Sequence, residues 1–116
     1  MDIKDIKFRA KTLALHTWAE GDLLHKNGRT YIRKDKVIFA DVDPDTVCMF
    51  TGLKDCDGKE IWEGDIVKYK DAHGERKGVI NWNEELTAFC FGYYFLLCHF
   101  PSENMVVIGN TFDDKI

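Results

Sequence analysis

Along much of the chain apolar and polar residues alternate with the two-residue period of strands that bury one face. Ile6-Lys7-Phe8-Arg9-Ala10 sets Ile6, Phe8 and Ala10 against two basic residues, so the first strand is dry on one side and wet on the other. Asn27-Gly28 suits the left-handed dihedrals of a type I′ turn and predicts a hairpin between residues 23–26 and 29–33. Val37-Ile38-Phe39-Ala40 reads as a short apolar strand that Asp43-Pro44-Asp45-Thr46 breaks, and residues 47–50 resume it. Asp57-Gly58 and Glu63-Gly64-Asp65 mark two further turns. Residues 65–70 alternate, and residues 78–82 answer them across the polar loop 71–76, so these two strands should pair. The apolar stretch 87–98 follows, with Gly92 placed to make it one curved strand or two, and Met105-Val106-Val107-Ile108-Gly109-Asn110 is the last strand.

No window of more than about ten residues shows the i, i+3, i+4, i+7 spacing of an amphipathic helix without a turn signal. The chain is therefore all-β. Many short strands with glycine turns close most economically as a small barrel or sandwich, since closure removes exposed edges. With 116 residues, 45% of them hydrophobic, the expectation is a single domain spanning 1–116 that needs neither disulfides nor metal to form one core.

The 16 basic and 20 acidic residues give a net charge of −4, so binding to phosphate or to an anionic membrane would need a local patch. The opening Met1-Asp2-Ile3-Lys4-Asp5 lacks the apolar core of a secretory signal, and the least polar stretch, 89–100, has 12 residues where a spanning helix needs about 20. A cytoplasmic protein with no membrane partner is expected. Cys48, Cys56, Cys90 and Cys98 form no Cys-x-x-Cys pair and read as free, largely buried thiols.

Candidate chemistry is sparse. Asp55, Asp57, Glu60, Glu63 and Asp65 are the densest acidic cluster, but their spacing is not that of a calcium loop, and turn formation is the simpler role. His16, His25 and His73 stand apart from any nucleophile motif, and on a regular strand Cys98 and His99 would point to opposite faces. Trp18, Trp62 and Trp82 with Tyr69, Tyr93 and Tyr94, and Lys68, Lys70, Arg76 and Lys77, would make a stacking and phosphate-seeking surface if they converge; nearby acids offset the charge. In a regular strand 89–100, Phe89, Phe91, Tyr93, Phe95 and Leu97 fill one face and Cys90, Tyr94, Leu96 and Cys98 the other. Only one face can point into a barrel, so the second predicts cover by the N-terminal half or by another subunit in a homo-oligomer.

Thr51-Gly52-Leu53-Lys54-Asp55, Gly58-Lys59-Glu60-Ile61 and Glu63-Gly64-Asp65-Ile66-Val67 resemble the YopX family of bacteriophage and prophage proteins. Ile6–Ala10, Trp18 with Gly21-Asp22-Leu23, residues 42–47 around Pro44, and Ile108-Gly109-Asn110 flank this block in the family's order. Cys56 and Trp62 depart from it mildly, and the stretch 89–100 aligns with no motif. The resemblance implies a partly open, SH3-like barrel with additional N-terminal strands and an origin in mobile elements, and supplies no catalytic residues. Turn glycines, turn-closing Asp57 and Asp65, and the core residues Ile61, Ile66 and Val67 give the block a structural reading of its own.

The functional expectation is a non-enzymatic accessory protein in the bacterial cytoplasm, without cofactor or metal, that binds a host or phage protein through a surface containing Trp62, Tyr69, Trp82, Lys68 and Lys70. The alternatives are a single-stranded nucleic-acid-binding β-barrel using the basic and aromatic residues, and a metal-dependent enzyme using the acidic cluster of residues 55–65.

Overall fold

A computed structural model describes residues 3–92 and 95–113, which divide into two compact units, 1–50 and 51–116. In the first unit a 3-10 turn, Ile3–Asp5, precedes β1 (Phe8–Lys11), β2 (Trp18–Lys26), β3 (Arg29–Arg33) and β4 (Phe39–Val42). After a second 3-10 turn, Pro44–Thr46, comes β5 (Cys48–Lys54), whose first residues pair with β1. The antiparallel order is β4-β3-β2-β1-β5.

The predicted hairpin forms as expected: Lys26 pairs with Arg29 across a two-residue loop in which Asn27 (φ 54°) and Gly28 (φ 77°) are both left-handed. The strand expected at 37–40 begins two residues late. Oδ1 of Asp35 accepts the N–H groups of Val37 and Ile38, each at 3.0 Å, and the Lys34 N–H donates to the Ile38 carbonyl at 2.9 Å. An aspartate turn thus takes the backbone before the ladder can. Pro44 does end the strand, and Thr46 ties its turn to β1 by accepting the Lys11 N–H at 2.8 Å. The core of this unit is Ala10, Ala19, Ile32 and Val42, with Phe8, Ala40 and Val47 against it.

The second unit contains the end of β5 and β6 (Glu60–Trp62), then β7 (Asp65–Asp71), β8 (Gly74–Asn83), β9 (Ala88–Phe91), β10 (Phe95–Leu96) and β11 (Met105–Asn110). The last five form an antiparallel sheet in the order β10-β9-β8-β7-β11. β7 and β8 pair as expected, with Ile66 opposite Val79. The expected polar loop 71–76 shrinks to a two-residue turn between Asp71 and Gly74, closed by the Asp71 carboxylate on the His73 N–H at 2.8 Å.

The long apolar stretch is not one strand. It bends at Gly92 (φ 75°), resumes as β10, and at Leu97–His99 becomes a 3-10 turn. The two continuous faces expected of it do not form: Phe91 and Leu97 are buried, whereas Phe95 is 61% exposed. Tyr93 and Tyr94 lie outside the described residues. The core is Ile61, Val67, Tyr69, Ile80, Phe91, Leu97 and Met105. Phe100 joins it edge-on to Tyr69, ring centroids 5.1 Å apart.

The protein is all-β, as expected, with two antiparallel sheets that do not close into a barrel. In the second sheet β10 contributes only two residues, and the outer edge of β11 is occupied by a turn in place of a strand. No helix among the described residues is long and apolar enough to cross a membrane. Half the cysteines depart from expectation: all four are free, Cys48 and Cys90 are buried, and Cys56 and Cys98 are exposed.

Gly21 and Gly28 make opposite demands. A Cβ at Gly21 would overlap the Arg33 carbonyl oxygen, while one at Gly28 would meet nothing within 4 Å. Gly21→Ala should therefore cost about 3 kcal/mol or more and Gly28→Ala about 1 kcal/mol, read from the midpoints of denaturant unfolding. Equal costs would contradict the close approach of β2 and β3.

Candidate functional site

The acidic turn region is organised by Asp55, which is only 6% exposed. Its Oδ1 accepts the N–H groups of Asp57 and Lys59, each at 2.9 Å, and its Oδ2 accepts the Val107 N–H of β11 at 2.9 Å. The Cys56 N–H adds a bond to the Met105 carbonyl at 3.0 Å. Burial pushes the Asp55 carboxyl up, but the bonds from Val107, Lys59 and Asp57 and the Lys59 charge outweigh it, so the group lies below its ordinary value. Desolvation, then the Asp57 and Asp55 carboxylates, push the Cys56 thiol up, so the turn holds no activated thiolate.

Asp65 turns to a separate task. Buried to 2% exposure, it accepts the Trp62 N–H at 2.7 Å. Beside it the Gly64 N–H donates to the Ile80 carbonyl at 2.6 Å, and the Gly64 carbonyl accepts the Thr111 N–H at 2.9 Å. Asp65 pairs in register with Asn110, whose Oδ1 accepts the N–H groups of Phe112 and Asp113. Among the described residues no three His, Cys, Asp or Glu side chains converge as a metal site. The best-defined carboxylates are aimed at backbone N–H groups.

The five residues expected on an interaction surface separate. Trp62 (3% exposed) and Tyr69 (5%) are buried, which corrects their reading as surface anchors: Tyr69 shares the inward phase of β7 with Val67, and Trp62 is buried on the phase of β6 opposite to the core residue Ile61. Lys68 and Lys70 alternate with Val67 and Tyr69 and emerge on the opposite face of β7. Lys68 meets Glu75 at 3.1 Å, and Lys70 lies opposite Glu75 in register. Arg76 meets Asp71 at 3.9 Å. Trp82 keeps the phase of buried Ile80, at the open end of the inner face, 43% exposed and edge-on to Phe89 at 5.2 Å. The exposed tryptophan and the two lysines thus leave the sheet on opposite faces.

Sequence reasoning missed the neighbouring groove of about 560 Å³. Phe89 and Ala88 of β9, Thr51 and Leu53 of β5, and the segment running from Leu96 through Phe100 and Pro101 to Glu103 enclose it. Thr51 is oriented by donating its hydroxyl to the Ile61 carbonyl at 2.6 Å. Glu103 is the single charged residue of a lining that is apolar apart from Thr51, Cys98 and Ser102, and it is exposed. The signal in the chain was the surplus of apolar residues between 89 and 100, but Leu53, some forty residues away, is brought to it only by folding.

The Asp55 arrangement fixes an acid response. Asn in place of Asp55 removes the charge and sets an amide N–H₂ against one of the three N–H donors, which should cost about 2–4 kcal/mol. Because the folded carboxyl lies below the ordinary value of about 3.9, its contribution is complete above that pH and is lost as pH falls through the lowered value. Unfolding midpoints across this range should drop more steeply for the natural chain than for Asp55→Asn. Parallel profiles would remove Asp55 from this role.

No curated protein matches the chain. The model of the YopX protein family matches residues 4–115, nearly the whole chain and both units, including the Asp55 and Asp65 turns and the β11 strand they hold. The chain belongs to the YopX protein family.

Proposed function

We propose that this protein is a non-enzymatic interaction module of a phage or prophage, acting in the cytoplasm of the bacterial host, and that the apolar groove of its second unit receives a segment of a host or phage protein. The observation that carries the reading is the groove itself: an open apolar cleft, lined by Leu53, Phe89, Leu96 and Phe100, with the exposed Trp82 ring against Phe89 at its margin. Tryptophans set beside apolar pockets are the residues on which protein interfaces concentrate their energy. The nucleic-acid reading has less support, because stacking and phosphate contacts need aromatic and basic groups on one face. Lys68, Lys70 and Lys77 leave the face opposite to Trp82; Arg76 shares the Trp82 face but is engaged by Asp71 at 3.9 Å and lies over the Phe100 ring, and Tyr69 is buried.

The test is capture from bacterial lysate on the full-length chain, with and without nuclease, compared with Trp82→Ala and Leu96→Ser. A stoichiometric protein that survives nuclease and falls about tenfold or more with either substitution, as truncating an interface anchor does, is expected. Recovery that is nuclease-sensitive, or that both substitutions leave unchanged, would overturn the proposal.

A further inference from the structure

The first unit carries an apolar feature as unexplained as the groove in the second. Val37, Ile38 and Phe39 are 81%, 50% and 51% exposed, three consecutive apolar side chains on the approach to an edge strand. They are held there by design of the turn. The two bonds to Asp35 Oδ1 and the Lys34 to Ile38 backbone bond fix the loop, so little conformational freedom is left to lose on docking. Lys34 and Lys36, both exposed, stand directly beside the apolar residues.

We infer that, until such a partner displaces it, the groove is filled by the 36–39 segment of a second copy of this chain, an inference that rests on reading the groove as a protein-docking site. The match is one of chemistry. The groove is apolar with one exposed carboxylate, Glu103, and the segment is apolar with a lysine at its head. Seating Val37 and Ile38 against Leu53, Leu96 and Phe100 would bring Lys36 toward Glu103, and both apolar surfaces would leave water together. The other exposed apolar run, Leu13-Ala14-Leu15, lies between Thr12 and His16 and brings no such cation. Each copy offers one segment and one groove, so the contact is head-to-tail and builds a ring or an open chain of subunits.

Sedimentation velocity over a concentration series decides the matter. Ile38→Asp and Glu103→Lys both alter exposed positions and should leave the fold intact, checked by circular dichroism. The natural chain is expected to associate as concentration rises, and each variant to weaken the association about tenfold or more. An equimolar mixture of the two variants should form dimers and nothing larger, because only the intact groove of one and the intact loop of the other can meet. A natural chain that stays monomeric throughout, an association that both variants leave unchanged, or a mixture that forms no dimer would overturn the inference. Failure here is separable from failure of the docking reading: loss of a captured protein on Leu96→Ser tests the groove, while sedimentation tests what fills it in the partner's absence.

Discussion

The outer edge of β11 has to be satisfied by something other than a strand, and the turn built on one carboxylate does this. An unpaired strand edge invites pairing with foreign chains, and its N–H groups lose free energy if buried without acceptors. Asp55 meets the second need at Val107, and the adjacent Cys56 N–H meets the Met105 carbonyl. Because the other oxygen of the same carboxylate holds the N–H groups of Asp57 and Lys59, the turn that covers the edge is shaped by the group that docks it. Charge-assisted bonds of this kind are stronger than neutral ones, which is how a nearly buried acid remains ionised.

The same logic recurs in both units and accounts for much of the acidity. Asp35, Asp43 and Asp71 each accept backbone N–H groups within their own turns, and Asp22 and Asp41 pair with arginines across strands. Asp65 and Asn110 do for the β6–β7 turn and the end of β11 what Asp55 does for the β5–β6 turn. Short strands need many turns, and aspartate and asparagine close turns because their side chains reach backbone groups two residues on. A chain rich in acids can thereby lack any clustered acid chemistry among its described residues.

The groove follows from the path of the apolar stretch. Gly92 bends the apolar stretch away from a regular ladder, and the 3-10 turn at Leu97–His99 then carries Phe100 and Pro101 back over β9. Leu97 and Phe100 seal the core, while Leu96 and the outward side of Phe89 remain to line a cleft. Surplus apolar surface that cannot be folded inside is retained at a cost in solubility unless it is covered. A concave face next to an exposed tryptophan is the form in which a small domain can offer such surface to a partner.

Local chemistry was readable residue by residue. The Asn27-Gly28 hairpin, the pairing of β7 with β8, the break at Pro44 and the final strand Met105–Asn110 follow from dihedral preferences and a two-residue period, which act over a few positions. The family block was legible for the same reason, since its glycines and aspartates declare turns. Periodicity could not say which aromatic rings would stay outside: Trp62, on the short strand β6, and Tyr69, on the inward phase of β7, are buried, while Trp82 shares the phase of buried Ile80 at the open end of β8 and is exposed. Nor could it foresee that Asp35 would delay β4 or that Leu53 would meet Leu96 in one groove. The sequence by itself determined an all-β chain, its turns and its family; the burial of each ring, the open sheets and the groove were decided only by tertiary packing, because they depend on contacts between residues far apart in the chain.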